Sequence, residues 1–273
     1  MKRAVSFAVF LCMLVGLMAF PLNASGGVSI IIDGDRYYGN VQVQYNTTYV
    51  GIRKFSTTMY PDAKVTYSYS TRTLTVKTNN LTLECKDGSN YIIANGRYLY
   101  TEAPIYMRSG TMYAPVLLLA KAFDAKISWD SALHGFRITR GSGGIMSGAR
   151  FYREDEVYWL SRIIYAESGA EPLRGKIAVG NVILNRVRSS AYPNTIYGVI
   201  FDKRYGVQFS PTANGTIYKT PNAESIAAAK ICLEGYTVSD KIIYFVNPVK
   251  APGSWVSKNR PFFAKIGNHS FYE

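Results

Sequence analysis

The spacing of apolar residues changes character twice along the chain. Ala4 to Phe20 is an unbroken apolar run. From about residue 28 to 140, apolar and polar positions alternate in short runs separated by turn residues, the period-two pattern of half-buried strands. Asp33-Gly34 and Asn95-Gly96 sit between such runs and are hairpin-turn signals. Two helix candidates interrupt the strands, at residues 50–59 and 115–123. In the second, Val116, Leu119 and Phe123 share one face and Pro115 is placed to start it.

Beyond residue 150 the period lengthens to that of a helix. Val157, Leu160 and Ile164 recur at offsets of three and four, and the same face continued by three reaches Glu167. The spacing predicts a helix from about Glu154, whose cluster Glu154, Asp155 and Glu156 suits the positive end of the dipole, to Gly169. A second helix carries Leu173, Ile177, Gly180, Leu184 and Val187, with Pro172 in its first turn. Gly180 within it points to close approach of another backbone. Asn185 lies one position off that stripe, which puts its amide within reach of a ligand or a backbone group. Residues 195–201 read as a short helix and 202–221 as a long polar loop of the kind that binds ligands. Asn222 caps an alanine-rich helix over 223–234, stopped by Gly235.

The alternating region is duplicated at a spacing of about 62 residues. Ile31-Ile32-Asp33-Gly34 answers Ile93-Ala94-Asn95-Gly96, and Ala63-Lys64-Val65-Thr66-Tyr67 answers Ala125-Lys126-Ile127-Ser128-Trp129. Two small α+β repeats sharing one core are expected, since each alone is too small to bury much. Gly141-Ser142-Gly143-Gly144 and Ser147-Gly148-Ala149 read as a flexible linker. The fold class is therefore α+β, with a duplicated domain over 28–140, a linker over 141–149 and a mostly helical domain over 150–273.

Composition adds an address. Lys2 and Arg3 before the apolar run, with Pro21 and Ala24 after it, have the layout of a secretory signal peptide over residues 1–24; an uncleaved anchor is the alternative. Its removal lowers the net charge only from +13 to +11. An exported protein this basic suits an anionic surface such as a bacterial wall, and export argues against nucleic acid. No second stretch has the length to span a bilayer. Cys85 and Cys232 fall in different domains, so no disulfide framework is indicated.

The second domain holds a single histidine, His269, and Cys232 lies inside a predicted helix. That set supports neither a serine triad nor a zinc site, and no metal or cofactor is expected. Carboxylate chemistry remains, with amides and aromatics to hold a polymer, a combination that suits sugar cleavage. A carboxylate on the buried stripe of a helix has its pKa raised toward that of a proton donor, which singles out Glu167. Glu171 is either an assisting acid or a helix N-terminal carboxylate interacting with the dipole.

Ile164-Tyr165-Ala166-Glu167, Gly175, Ala178-Val179 and Val182-Ile183-Leu184-Asn185-Arg186-Val187 resemble the SleB-type cell wall hydrolases, the spore cortex-lytic enzyme family. The resemblance continues through Pro193-Asn194-Thr195, Gln208-Phe209-Ser210, Tyr244-Phe245, Asn247-Pro248 and Ile266-Gly267-Asn268-His269. It implies a lysozyme-like α+β fold and lytic transglycosylase cleavage of peptidoglycan, with Glu167 as the catalytic acid and an anhydro-muramyl product. Hydrolysis by a water-using muramidase stays open, as does a catalytically silent wall-binding protein. The expected substrate contacts are Asn185, Phe209, Ser210, Tyr244, Asn247, Trp255, Asn268 and His269. The paired Asp/Asn-Gly turns, Tyr113-Ala114-Pro115-Val116 and the segment 125–130 resemble the copper amine oxidase N-terminal-like domain. His134 and Cys85 alone are too few for copper. That domain is read either as a wall attachment module or as a spacer.

Overall fold

A computed structural model describes residues 27–273; the apolar N-terminal run and its signal-peptide reading lie outside the described residues. The first repeat runs β1 (Ser29–Ile32), β2 (Asp35–Arg36), β3 (Val41–Gln44), β4 (Thr47–Gly51), α1 (Ile52–Met59), β5 (Lys64–Ser68) and β6 (Thr73–Lys77). A connecting strand β7 (Thr82–Lys86) leads to the second: β8 (Tyr91–Ala94), β9 (Arg97–Tyr100), β10 (Tyr106–Arg108), β11 (Thr111–Pro115), α2 (Val116–Ala122), β12 (Lys126–Asp130) and β13 (Gly135–Thr139). Both predicted hairpins turn through two residues of positive φ, Asp33 at 49° with Gly34 at 96°, and Asn95 at 51° with Gly96 at 79°. This is the tight turn whose twist matches that of the strands it joins.

The repeats exchange strands. One sheet has the order β12-β13-β1-β2 and another β5-β6-β7-β8-β9, so the closing strands of each repeat lie with the opening hairpin of the other. The third sheet, β10-β11-β4-β3, joins the central hairpins, with Ala114 opposite Val50. β13 runs parallel to β1, and Gly135 is required at that junction because a Cβ there would lie 1.9 Å from the Ser29 carbonyl oxygen. A single core, including Ile30, Phe55, Leu83, Ile92, Leu119 and Phe123, fills the space between the sheets. Neither repeat closes a core on its own.

The glycine-rich stretch expected to be a flexible joint is fastened to this unit. Ile145 is buried in the same core, and Asn95 donates its amide to the carbonyls of Ile145 and Asn80, each at 2.8 Å. Gly148 then donates its N–H to the Asn95 carbonyl at 2.7 Å.

The second unit begins with α3 (Gly148–Phe151), followed by α4 (Glu154–Ser168), α5 (Leu173–Arg188), α6 (Ile196–Ile200), α7 (Ser210–Asn214) and α8 (Ala223–Leu233). Next come β14 (Tyr244–Val246), α9 (Trp255–Asn259), β15 (Phe262–Ile266) and β16 (His269–Tyr272), whose strands form a sheet of order β14-β16-β15. Helices α4, α5 and α8 pack on one another around Leu160, Ile164, Val179, Ile183 and Ala228. Gly180 does mark a close approach, but of side chains: a Cβ there would lie 2.7 Å from Cys232 Sγ and 2.9 Å from Ile164 Cδ1.

The two units are docked. Glu234, just past α8, accepts from Arg97 Nε and Nη2, both at 2.7 Å, and from the Tyr152 hydroxyl at 2.8 Å. Around this buried ion pair, Tyr91, Tyr98 and Tyr100 of the first unit pack on the helical core of the second. Tyr100 and Tyr236 have ring centroids 4.2 Å apart, and the Tyr236 hydroxyl donates to Glu102.

Candidate active site

Glu167 stands in the last turn of α4, where the helix face that buries Leu160 and Ile164 runs out into a cleft of about 970 Å³. The cleft is walled by the turn 168–171, by α7 and the segment after it, by the loop following β14, and by His269 at the start of β16. Among the described residues no hydrogen bond or ion pair engages the Glu167 carboxyl. Burial pushes its pKa from the ordinary 4.5 to about 7, against an opposing pull from the Lys250 ammonium. Such a group is protonated at mildly acidic pH and gives up its proton near neutrality, which suits a general acid that must also act as a base.

The turn that frames Glu167 is fixed from behind. Ser168 donates its hydroxyl to the Ile164 carbonyl at 2.7 Å, and the Glu171 N–H donates to the Ser168 carbonyl at 2.9 Å. The buried Lys176 ammonium donates to the Glu171 carbonyl and to Glu224. Glu171 itself points away from any free role. Its Oε2 accepts from the Asn268 N–H at 2.8 Å and its Oε1 from the Asn268 side-chain amide at 2.9 Å. Burial alone raises this carboxyl, but the two Asn268 hydrogen bonds, with His269 and Lys176 nearby, outweigh it and hold the group below the usual carboxylate range. Gly267 is obligatory beside it, with φ of 59° and no room for a Cβ, which would fall 2.0 Å from Glu171 Oε2. The two glutamates are thus driven apart in acidity: Glu167 raised and unengaged, Glu171 lowered and clamped.

Residues 170–272 match the family described as Cell Wall Hydrolase, in a span that holds Glu171, the cleft loops and the Asn268 clamp and begins just after Glu167. The C-terminal unit is a cell wall hydrolase domain. Residues 31–137 match the copper amine oxidase N-terminal domain. Over the hydrolase domain the chain is 38% identical to a spore cortex-lytic enzyme of Bacillus cereus, in an alignment covering 44% of this chain and 45% of that protein. It is 26% identical to the cell wall hydrolase CwlJ of Bacillus subtilis, covering 43% of this chain and 84% of that one. The chain thus spans less than half the length of the spore cortex-lytic relative. Among solved structures, the catalytic domain of the germination-specific lytic transglycosylase SleB from Bacillus anthracis is 36% identical, with a TM-score of 0.41, covering 47% of this chain and all of that one. The first unit does not fit the metal in its family's description. Cys85 is buried in the apolar core, His134 sits on a surface turn, and no group of three or more histidine, cysteine or acidic residues among the described residues is placed to hold an ion.

The hydrolase domain gathers only part of the residues expected to contact substrate. Ser210, Asn247 and His269 line the cleft with Glu167. His269 is buried with its Nδ1 3.9 Å from Glu171 Oε1; burial and the Lys250 charge lower its pKa, and Glu171 opposes them. Asn268 acts through Glu171. Asn185 is not in the cleft: its amide donates to the Ser239 and Ile242 carbonyls at 2.9 and 2.8 Å and its oxygen accepts from Arg188, so the backbone alternative holds. Phe209 is buried in the core, and Tyr244 bonds to Tyr192 at 3.4 Å beside the buried Arg186. Trp255 is exposed on α9 under the Arg260 guanidinium, outside the cleft. Lys219, Asn222 and Lys250 line the cleft although no periodicity singles them out. The polar run 202–221 was the available signal, since α7 and the short helical turn Thr216–Tyr218 within it form one wall.

Proposed function

We propose that this chain cuts the glycan strands of peptidoglycan between muramic acid and glucosamine, with Glu167 as the single general acid and base. The observation that carries the reading is the contrast between the two carboxyls. Glu167 opens on the cleft unpaired with a pKa of about 7, and Glu171 has both oxygens occupied by Asn268. A retaining glycosidase needs a second carboxylate as nucleophile, and an inverting one needs a base for water. Glu171 is available for neither.

The reaction therefore runs on one acid. Glu167 gives its proton to the glycosidic oxygen as the bond from that oxygen to the muramyl C1 breaks. The muramyl C6 hydroxyl then bonds to C1 and returns its proton to the Glu167 carboxylate. The product end is an anhydro sugar, no water is consumed, and the acid is restored. In this reading the chain is exported by its N-terminal segment and works on the anionic wall.

Digestion of purified peptidoglycan with residues 25–273, followed by mass spectrometry, tests this. Anhydro-muramyl ends, lighter by one water than reducing ends, are expected, and Glu167→Gln should yield none while remaining folded. Reducing ends would instead show hydrolysis. An absence of fragments from every wall preparation would leave a binding protein.

A further inference from the structure

The first unit carries a cavity of its own, away from Glu167. It has a volume of about 520 Å³ and lies at the sheet β10-β11-β4-β3, between residues 39–42 on one side and Arg108, Ser109, Thr111 and Tyr113 on the other. That is within the size range of small-ligand sites. Its walls are held in place. Ser109 and Gly110, with φ of 48° and 74°, make the tight turn that sets Arg108 opposite Thr111. The Gly51 N–H donates to the Asn40 carbonyl at 3.1 Å and fixes the facing wall. Tyr113 stacks on Tyr106, with ring centroids 5.2 Å apart.

The lining is rich in donors and contains no acidic residue. Gln42 Oε1 already accepts from the Tyr106 hydroxyl at 2.9 Å and from Gln44 Nε2 at 3.2 Å, so Gln42 has its own amide hydrogens left to offer. The side chains of Asn40, Arg108, Ser109, Thr111 and Tyr113 make no hydrogen bond or ion pair among the described residues. Those on the rim turn to water. Tyr113 is only 4% exposed, and the cavity is the one place its hydroxyl can find a partner. Behind the Gly39 wall, the buried Tyr37 hydroxyl is also unpartnered, and it fills the space a Cβ on Gly39 would need, 2.0 Å away.

We propose that this cavity binds a phosphoryl group borne on a sugar or polyol, as in a wall polymer of polyol phosphates. Arg108 supplies the charge, and the Gln42 amide with the Ser109, Thr111 and Tyr113 hydroxyls supplies further donors. These come from two walls and the floor. A tetrahedral phosphoryl group meets all of them at once, whereas a carboxylate offers two oxygens in one plane. The cavity exceeds a phosphoryl group in size and has room for the carbon chain or ring that carries it. Exposed rings of Tyr38 and Tyr45, before and after β3, offer apolar faces to that carrier.

The test measures calorimetric binding of residues 25–273, at physiological salt, to poly(glycerol phosphate), glycerol 3-phosphate, inorganic phosphate and polygalacturonate. Poly(glycerol phosphate) should bind, and Arg108→Gln should weaken it roughly five- to thirty-fold. Tyr113→Phe should weaken it roughly three- to tenfold without lowering the urea midpoint, since the hydroxyl has no partner in the fold. Arg153→Gln makes the same charge change in the other unit, on an exposed side chain, and should leave affinity unchanged. If glycerol 3-phosphate or inorganic phosphate shows the same dependence on Arg108 and Tyr113, the site is supported and its ligand includes a soluble phosphate. Equal binding of polygalacturonate overturns the choice of phosphoryl over carboxylate. Equal losses in Arg108→Gln and Arg153→Gln, or no binding of any phosphate probe, overturn the site itself. None of these outcomes depends on whether peptidoglycan is cut at Glu167.

Discussion

Glu167 should make the folded protein less stable as pH rises, and its removal should reverse that. The carboxyl has a pKa of about 7 in the folded chain against 4.5 ordinarily, so folding favours its protonated form. A group raised in this way contributes stability that is complete below the unfolded pKa and is lost as pH climbs through the folded one. The interval from 4.5 to about 7 at 1.36 kcal/mol per pH unit corresponds to about 3 kcal/mol between pH 4 and 8. Glu167→Gln keeps the shape and stays neutral, so it should match the unaltered protein near pH 4 and exceed it by about 3 kcal/mol at pH 8. Urea unfolding of both proteins at intervals across that range isolates this carboxyl, because every other titrating group is common to the two. A difference that stays flat with pH would show that Glu167 is not raised by burial, and the assignment of a proton donor would lose its physical basis. If Glu167 is the acid proposed above, cleavage of peptidoglycan by the unaltered protein should decline over the same upper part of the range.

Asn268→Ala removes one of two hydrogen bonds to a buried carboxylate and should cost about 1.5–3 kcal/mol. Since Glu171 is held below its ordinary pKa, the stability it adds is present at neutral pH and lost as pH falls through the lowered value; the variant should begin acid unfolding at a higher pH, readable by circular dichroism. Glu234→Ala leaves Arg97 charged and buried between the two units, and should cost about 3–5 kcal/mol in denaturant unfolding, with part regained in the Arg97→Met/Glu234→Ala double variant. A loss under about 1 kcal/mol would mean that this ion pair does not hold the units together.

Local patterns carried the elements well. The α+β class, the two hairpins on Asp33-Gly34 and Asn95-Gly96, and helices α4, α5 and α8 follow from period and turn chemistry acting within a few residues. The exchange of strands between repeats was not legible, because pairing Ile30 with Phe136 depends on closing a long loop that no window of sequence reports. The same limit applies to the site. That Glu167 approaches the apolar stripe of its helix was visible, but the clamp from Asn268 to Glu171 and the cation of Lys250 come from distant segments. Asn185 and Phe209 show the converse limit: an amide one position off a helix stripe and an aromatic in a polar loop are residue types that suit ligand contact, yet the Asn185 amide donates to the Ser239 and Ile242 carbonyls and Phe209 packs into the core.

The docking of the two units through Glu234 and Arg97 bears on how far the cleft can reach. A catalytic unit on a loose tether sweeps a volume set by the tether's length and meets its polymer at every angle. Here the strap over 141–149 and the buried ion pair remove that freedom, so the cleft keeps one height and one bearing relative to the first unit. On the function proposed above, any surface on which the first unit settled would be worked at a fixed standoff. Access to new bonds then depends on moving the whole molecule, or the strand, and not on a swinging domain.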